Sequence, residues 1–166
     1  LRGDHRQSQT LEALRNADAI LITSAELGDE SDLAAGIEPR GLIGRPDLLL
    51  RLEDGWAPID IKSHSSLDVQ AKKNCWTVSI DQLNQPGRAP DGMSSGRLKQ
   101  SDALQLAHYW TQLDEIGLAS SSGLVGIIGK DANEVVLQDV HTTAYRNGND
   151  SALSLYLDAF AAAYGV

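Results

Sequence analysis

The residues best suited to chemistry lie in the middle of the chain. Asp47 follows Pro46, and thirteen positions later comes the run Asp60-Ile61-Lys62. If the two segments pair as a hairpin, both carboxylates converge on one ion. Hard cations such as Mg²⁺ or Mn²⁺ take oxygen ligands and keep several waters. Asp47, Asp60 and the backbone carbonyl of Ile61 would supply a partial oxygen site. Alternation along a strand puts Asp60 and Lys62 on one face and sends Ile59 and Ile61 to the opposite, buried face. The Lys62 ammonium would then sit beside the cation, where it can orient an attacking water or stabilise charge developing on a phosphate. Each residue alone has a plainer reading. Asp47 can be a turn residue, and Asp60 and Lys62 a solvated strand face.

These residues need a hairpin to hold them, and the surrounding pattern supplies one. Leu42 to Leu52 and Trp56 to Lys62 read as strands joined by the turn signal Glu53-Asp54-Gly55. Before them, residues 8–17 read as a helix and Ala19 to Thr23 as a short buried strand. Gly28 to Gly36 is acidic and loop-like. Residues 63–100, rich in Pro and Gly toward their end, read as a long loop or insertion with one extended piece at Trp76 to Ile80. Ser101 is the expected N-cap of a helix carrying Leu104, Ala107, His108, Trp110 and Leu113, ended by Gly117. Leu124 to Ile128 and Glu134 to Val140 read as strands, and a last helix is expected from Asn149 or Asp150 to about Tyr164. The order predicts a single α/β domain over residues 1–166 with one central sheet.

The Pro-Asp pair, the hairpin-length gap and Asp-Ile-Lys resemble the PD-(D/E)XK motif of restriction-endonuclease-like nucleases. Gln105-Leu106-Ala107-His108-Tyr109 resembles the QxxxY signature on the helix that follows the core hairpin in RecB-like nucleases. Four apart on a helix, Gln105 and Tyr109 share a face; without the resemblance they read as helix surface and core rim. The resemblance covers roughly residues 8 to 140. It implies a restriction-endonuclease-like fold, a central mixed sheet flanked by helices. It also implies Mg²⁺- or Mn²⁺-dependent hydrolysis of DNA, with Asp47, Asp60, Lys62, Gln105 and Tyr109 as the working residues. Such nucleases are often joined to helicase-like regions in DNA repair and recombination. They generally use a further His or Glu from an earlier helix. Glu12 and His5 are the upstream helical candidates here and Glu26 follows the first strand; otherwise that ligand lies before Leu1. Lacking it, the domain would be a silent relic that binds DNA or serves as a scaffold. An unrelated interaction domain in which the motif is coincidence is the remaining alternative.

Other polar and aromatic residues near these motifs have a functional and a structural reading. His64 follows Lys62 by two and can line the same face. Lys72, Lys73, Arg88, Arg97 and Lys99 can contact DNA phosphates or be solvated loop charge. His108 reads as packed or exposed, Trp56 and Trp76 as core or loop anchors, and Cys75 as a small buried hydrophobe.

Bulk composition narrows the classes. At 166 residues and 42% hydrophobic, the chain can bury one core. Its apolar runs fall short of the roughly 20 residues a membrane helix needs, and no secretion signal is expected, so a cytoplasmic location is. One cysteine excludes an internal disulfide, and an iron–sulfur cluster is not expected from this chain. The net charge of −9 argues against a general nucleic-acid binder, yet residues 40–99 carry nine Lys/Arg against seven Asp/Glu, while the rest carries five against sixteen. Because it opens at Leu1 rather than Met, the chain is expected to be a piece of a longer protein.

Overall fold

The computed structural model of the chain describes residues 3–16, 18–28, 43–82, 94–130 and 133–165. The acidic stretch after Gly28, Leu42, and Arg88 fall outside them, as do the side chains of Lys72 and Lys73. Helix α1 (Gly3–Arg15) leads into β1 (Leu21–Thr23), the hairpin β2 (Leu48–Leu52) and β3 (Gly55–Ile61), then β4 (Leu67–Ser79) and β5 (Ser94–Leu98). Helix α2 (Gln100–Glu115), β6 (Leu124–Ile128), β7 (Glu134–Asp139) and α3 (Ala152–Tyr164) complete the domain. The strands form one mixed sheet in the order β1-β2-β3-β6-β7-β4-β5, with β3 and β6 parallel. This is an α/β architecture with helices flanking a mixed central sheet. Among the described residues no helix is long and apolar enough to cross a membrane.

Alternating side chains explain both buried faces of the sheet. Leu49, Trp56, Val125, Ile127 and Val136 meet the helices, packing with Leu14, Leu106, Tyr109 and Leu113. Leu50, Ile59, Leu124, Ile128, Val135 and Leu137 form a smaller cluster on the other face. Strand β6 lies in the middle and is buried throughout, which is why it reads as an uninterrupted apolar run.

Most of the described residues in the segment read as a long loop are strand, and the extended piece expected at Trp76 to Ile80 is the end of β4. β4 spans thirteen residues, pairing through Trp76–Ser79 with β7 and, nearer its start, with β5. Its polar side chains hid the earlier part, since a strand at the margin of a sheet needs no unbroken apolar pattern. β1 is shorter than expected and not buried: Ile20 and Leu21 are 46% and 47% exposed, because the strand sits at the sheet edge with β2 as its neighbour. The first strand of the hairpin begins at Leu48 rather than Leu42; Gly44 instead makes an isolated bridge with Leu27. The N-cap of α2 is Lys99, which makes no side-chain cap bond, rather than Ser101. Ser151 caps α3 through a reciprocal capping box with Ser154.

The hairpin turn is fixed from outside. Gly55 has φ 144°, and a Cβ there would lie 2.3 Å from the Ala119 carbonyl oxygen, so only glycine lets the turn meet that backbone. Asp54 accepts from the Ser120 hydroxyl (2.8 Å), the Ser121 hydroxyl (2.9 Å) and the Ser122 amide (2.7 Å). Burial pushes the Asp54 carboxyl up, but these hydrogen bonds outweigh it and hold the group below its ordinary value. A lowered carboxyl contributes stability that is present above its ordinary range and lost as pH falls through the lowered value. Asp54→Asn is therefore expected to lower stability at neutral pH by about 0.5–1 kcal/mol, kept small by its exposure. It should also flatten the acid limb of a melting-temperature series; a limb parallel to the wild type's would contradict this.

Candidate functional site

Antiparallel pairing sets the site. Leu48 faces Ile59 across β2 and β3, so the next rung places Asp47 opposite Asp60. The two residues interlock: the Asp47 amide donates to Asp60 Oδ1 (3.3 Å), and the Ile61 amide donates to Asp47 Oδ2 (2.8 Å). Asp60 is 2% exposed on the helix-facing side of β3, whereas Asp47 is open to solvent. Lys62 Nζ lies 3.0 Å from Asp60 Oδ2 and donates to Gln105 Oε1 at 2.7 Å. Gln105 Nε2 in turn donates to the Tyr109 hydroxyl at 2.6 Å. The five residues thus form one connected polar network between the hairpin and α2.

Helix α2 reaches the hairpin because Gly44 permits it. A Cβ at Gly44 would stand 1.9 Å from Gln112 Oε1 and 2.8 Å from Tyr109 Cδ1. The Gly44-Arg45-Pro46-Asp47 segment can therefore lie directly against the helix face that carries Tyr109. Electrostatics follow from burial. Burial pushes the Asp60 carboxyl up, the Lys62 hydrogen bond and charge and the Asp47 amide pull it down, and the Asp47 charge pushes it up again; the balance is upward. Burial likewise raises the Tyr109 phenol, partly opposed by Gln105, which keeps its O–H available as a donor.

Not every expected residue joins. Ile61 is 55% exposed rather than buried, because it lies at the end of β3, beyond the second core cluster that takes Ile59. Glu12 is exposed on the outer flank of α1 beside Ser8, Leu11, Arg15 and Asn16, and the inward face carries Gln7, Thr10 and Leu14. Among the described residues no three Asp, Glu, His or Cys side chains come together, so Glu12 does not meet Asp47 and Asp60. His5 is exposed on the same helix. Glu26 is placed differently: it is 2% exposed, its amide donates to the Thr10 hydroxyl, and Oε2 pairs with Arg45 Nε at 3.0 Å. It therefore braces the segment that presents Asp47.

Arg97 is occupied structurally, pairing with Asp68, donating to the Ala144 carbonyl and lying over the Tyr145 ring. His108 packs between Tyr109 and Tyr156, and Cys75 is fully buried. Trp56 belongs to the core and Trp76 packs against the second cluster. The residue that sequence reading passed over is Asp102, 6% exposed in the first turn of α2 and facing His64. Its position three before Gln105, on the same helix face, was the available signal.

Family models, curated proteins and solved structures yield no match for this chain. The geometry of the site therefore carries the functional argument.

Proposed function

We propose that this chain is a Mg²⁺- or Mn²⁺-dependent nuclease domain that hydrolyses DNA phosphodiesters, of the PD-(D/E)XK type and restriction-endonuclease-like fold, near the RecB-like branch. The observation that carries the reading is the joining of Asp47, Asp60, Lys62, Gln105 and Tyr109 in one hydrogen-bonded and ion-paired chain. These are residues that two separate motifs single out, and a solvated strand face or a helix rim would leave them apart.

The donor set fits a hard cation. Two aspartates stand opposite each other on one rung, and the buried Asp60 carries a desolvation cost that a bound cation would offset. When bound, such an ion activates water and polarises a phosphoryl oxygen. Asp47 and Asp60, with the Ile61 carbonyl, are the groups that would hold it. An ammonium has three N–H donors. Lys62 forms an ion pair with Asp60 and directs one at Gln105, which leaves donors for a phosphate oxygen or the attacking water. Gln105 is fixed by Tyr109 and so holds Lys62 in place. The resemblance to RecB-like nucleases suggests a setting in DNA repair or recombination beside helicase-like regions.

Calorimetric titration with Mn²⁺ and nicking of supercoiled plasmid with Mg²⁺ test the reading together. Wild type is expected to bind Mn²⁺ and nick, and Asp47→Ala to lose both while still melting cooperatively. DNA retained without any nicking would point instead to a silent DNA-binding domain. Neither metal binding nor DNA retention would remove the nuclease reading altogether.

A further inference from the structure

The pairing of β1 with β2 does not stop where the strands do. Leu21, Ile22 and Thr23 face Leu50, Leu49 and Leu48. In the same register the Ser24 amide donates to the Asp47 carbonyl at 3.0 Å, and Leu27 and Gly44 exchange both backbone bonds at 2.8 and 2.9 Å. Glu26 therefore stands opposite Arg45, two rungs from the one that holds Asp47. Ser24 has φ 55°, a left-handed conformation that costs a residue with a Cβ, and Ala25, Glu26 and Leu27 after it are all buried. The stretch thus turns into the protein instead of alternating like an ordinary edge strand.

Glu26 is anchored at both ends. Its amide donates to the Thr10 hydroxyl at 3.0 Å, and that hydroxyl donates to the Arg6 carbonyl, which ties the residue to α1. Its carboxylate reaches the other way. Oε2 accepts from Arg45 Nε at 3.0 Å, while Oε1 is buried and accepts no hydrogen bond among the described residues. The Glu26 side chain is 2% exposed and that of Arg45 65%, so a buried charge is compensated by an arginine at the surface. Such a charge holds its partner firmly, since parting them leaves it uncompensated. Between the Ser24–Asp47 bond and the Leu27–Gly44 bridge lies Pro46, which has no N–H to add a rung. The Glu26–Arg45 pair closes that gap, two residues before Asp47.

We propose that Glu26 is a positioning residue for Asp47, acting through Arg45 and not as a ligand of the cation. Asp47 is exposed, and the Ile61 amide aims its carboxylate through Oδ2. That aim requires its backbone to be placed from the other side, where Ser24 and Arg45 hold the segment. That Asp47 serves a metal rests on the nuclease reading; that Glu26 sets its place rests on the hydrogen bonding alone. Among the described residues no three Asp, Glu, His or Cys side chains come together, and Glu26 Oε2 is taken by Arg45. The buried acid upstream of the hairpin therefore acts at one remove from the site.

Two readouts test this. Amide hydrogen exchange of the metal-free protein, followed by NMR, reports on Asp47 directly: its Oδ2 protects the Ile61 amide, whereas the Ile128 carbonyl protects the neighbouring Lys62 amide. Calorimetry with Mn²⁺ reports the consequence. Glu26→Met, close in volume and uncharged, is expected to raise Ile61 exchange to the rate of Asp47→Ala with Lys62 unchanged, and to weaken Mn²⁺ binding about tenfold. Glu26→Gln still offers Arg45 Nε an oxygen and should stay close to wild type in both. A ligand, or a charge acting only at a distance, would lose as much affinity in Glu26→Gln as in Glu26→Met, and that result would overturn the proposal. Arg45→Ala takes a positive charge from beside a cation site, so a bystander there would tighten Mn²⁺ binding. A link in positioning weakens it instead, and adds little to Glu26→Met. Tighter binding by Arg45→Ala, or wild-type Ile61 exchange in both Glu26→Met and Arg45→Ala, would also overturn it. The nuclease reading fails separately: a wild type that takes up no Mn²⁺, yet whose Ile61 amide is released by Glu26→Met, keeps the positioning role and loses the metal site.

Discussion

Asp60→Asn is expected to lower Mg²⁺-dependent nicking by a factor on the order of 10³ while leaving the protein folded and at least as stable. The two halves of this expectation have one cause. Asp60 is 2% exposed and burial raises its carboxyl above the ordinary value. A carboxyl raised on folding contributes stability while it is protonated, and that contribution is lost as pH rises through the raised value. At neutral pH the ionised group is thus a cost of the fold, tolerated because Lys62 stands at 3.0 Å. Asparagine removes the charge, keeps an oxygen for the Asp47 amide, and leaves Lys62 its bond to Gln105. The melting temperature at neutral pH should hold or rise, and nicking should vanish into background. A variant that melts lower and nicks at the wild-type rate would show that Asp60 is a structural carboxylate.

The hairpin that carries this residue was the most legible part of the chain. Glu53-Asp54-Gly55 marks its turn, and the alternation of Ile59, Asp60 and Lys62 predicts which side chains face the helices. The spacing of Gln105 and Tyr109 likewise fixes a shared helix face from sequence alone, and the two side chains do meet. What failed was tertiary in origin. Only the end of β4, at Trp76 to Ser79, was expected; its earlier part escaped notice because its polar residues carry no periodic signal and its pairing depends on β5 and the distant β7. Glu12 and Glu26 could not be ranked without knowing which side of α1 turns inward. The answer, Gln7, Thr10 and Leu14, mixes polar with apolar residues and so conceals the buried stripe. Asp102 was hidden for the same reason, since an aspartate in the first turn of a helix is expected at the surface, where it favours the dipole. Its burial becomes visible only when His64 is brought against it.

Trp56→Ala should have the opposite signature to Asp60→Asn. Trp56 is 2% exposed; its indole donates to the Leu14 carbonyl at 3.2 Å, and Arg51 lies over the ring at 5.3 Å. Its backbone also bonds Leu118 and Ser120, so one residue ties the start of β3 to α1 and to the loop after α2. Truncating a buried tryptophan costs about 3–5 kcal/mol. For a domain of this size that is roughly a 10 °C fall in melting temperature. The cut lies four residues from Asp60 and six from Lys62 along a strand still pinned by β2 and β6, and Asp47 stands across from Asp60 at that far end. At low temperature, where most molecules remain folded, nicking per folded molecule should stay near the wild-type rate and then collapse early on warming. If Trp56 were instead a platform for stacking DNA bases, its loss would weaken oligonucleotide binding and leave the melting curve in place. The pair of variants therefore separates the two demands on β3: Trp56 at its start secures the strand in the core, and Asp60 near its end burdens that strand with a charge kept for chemistry.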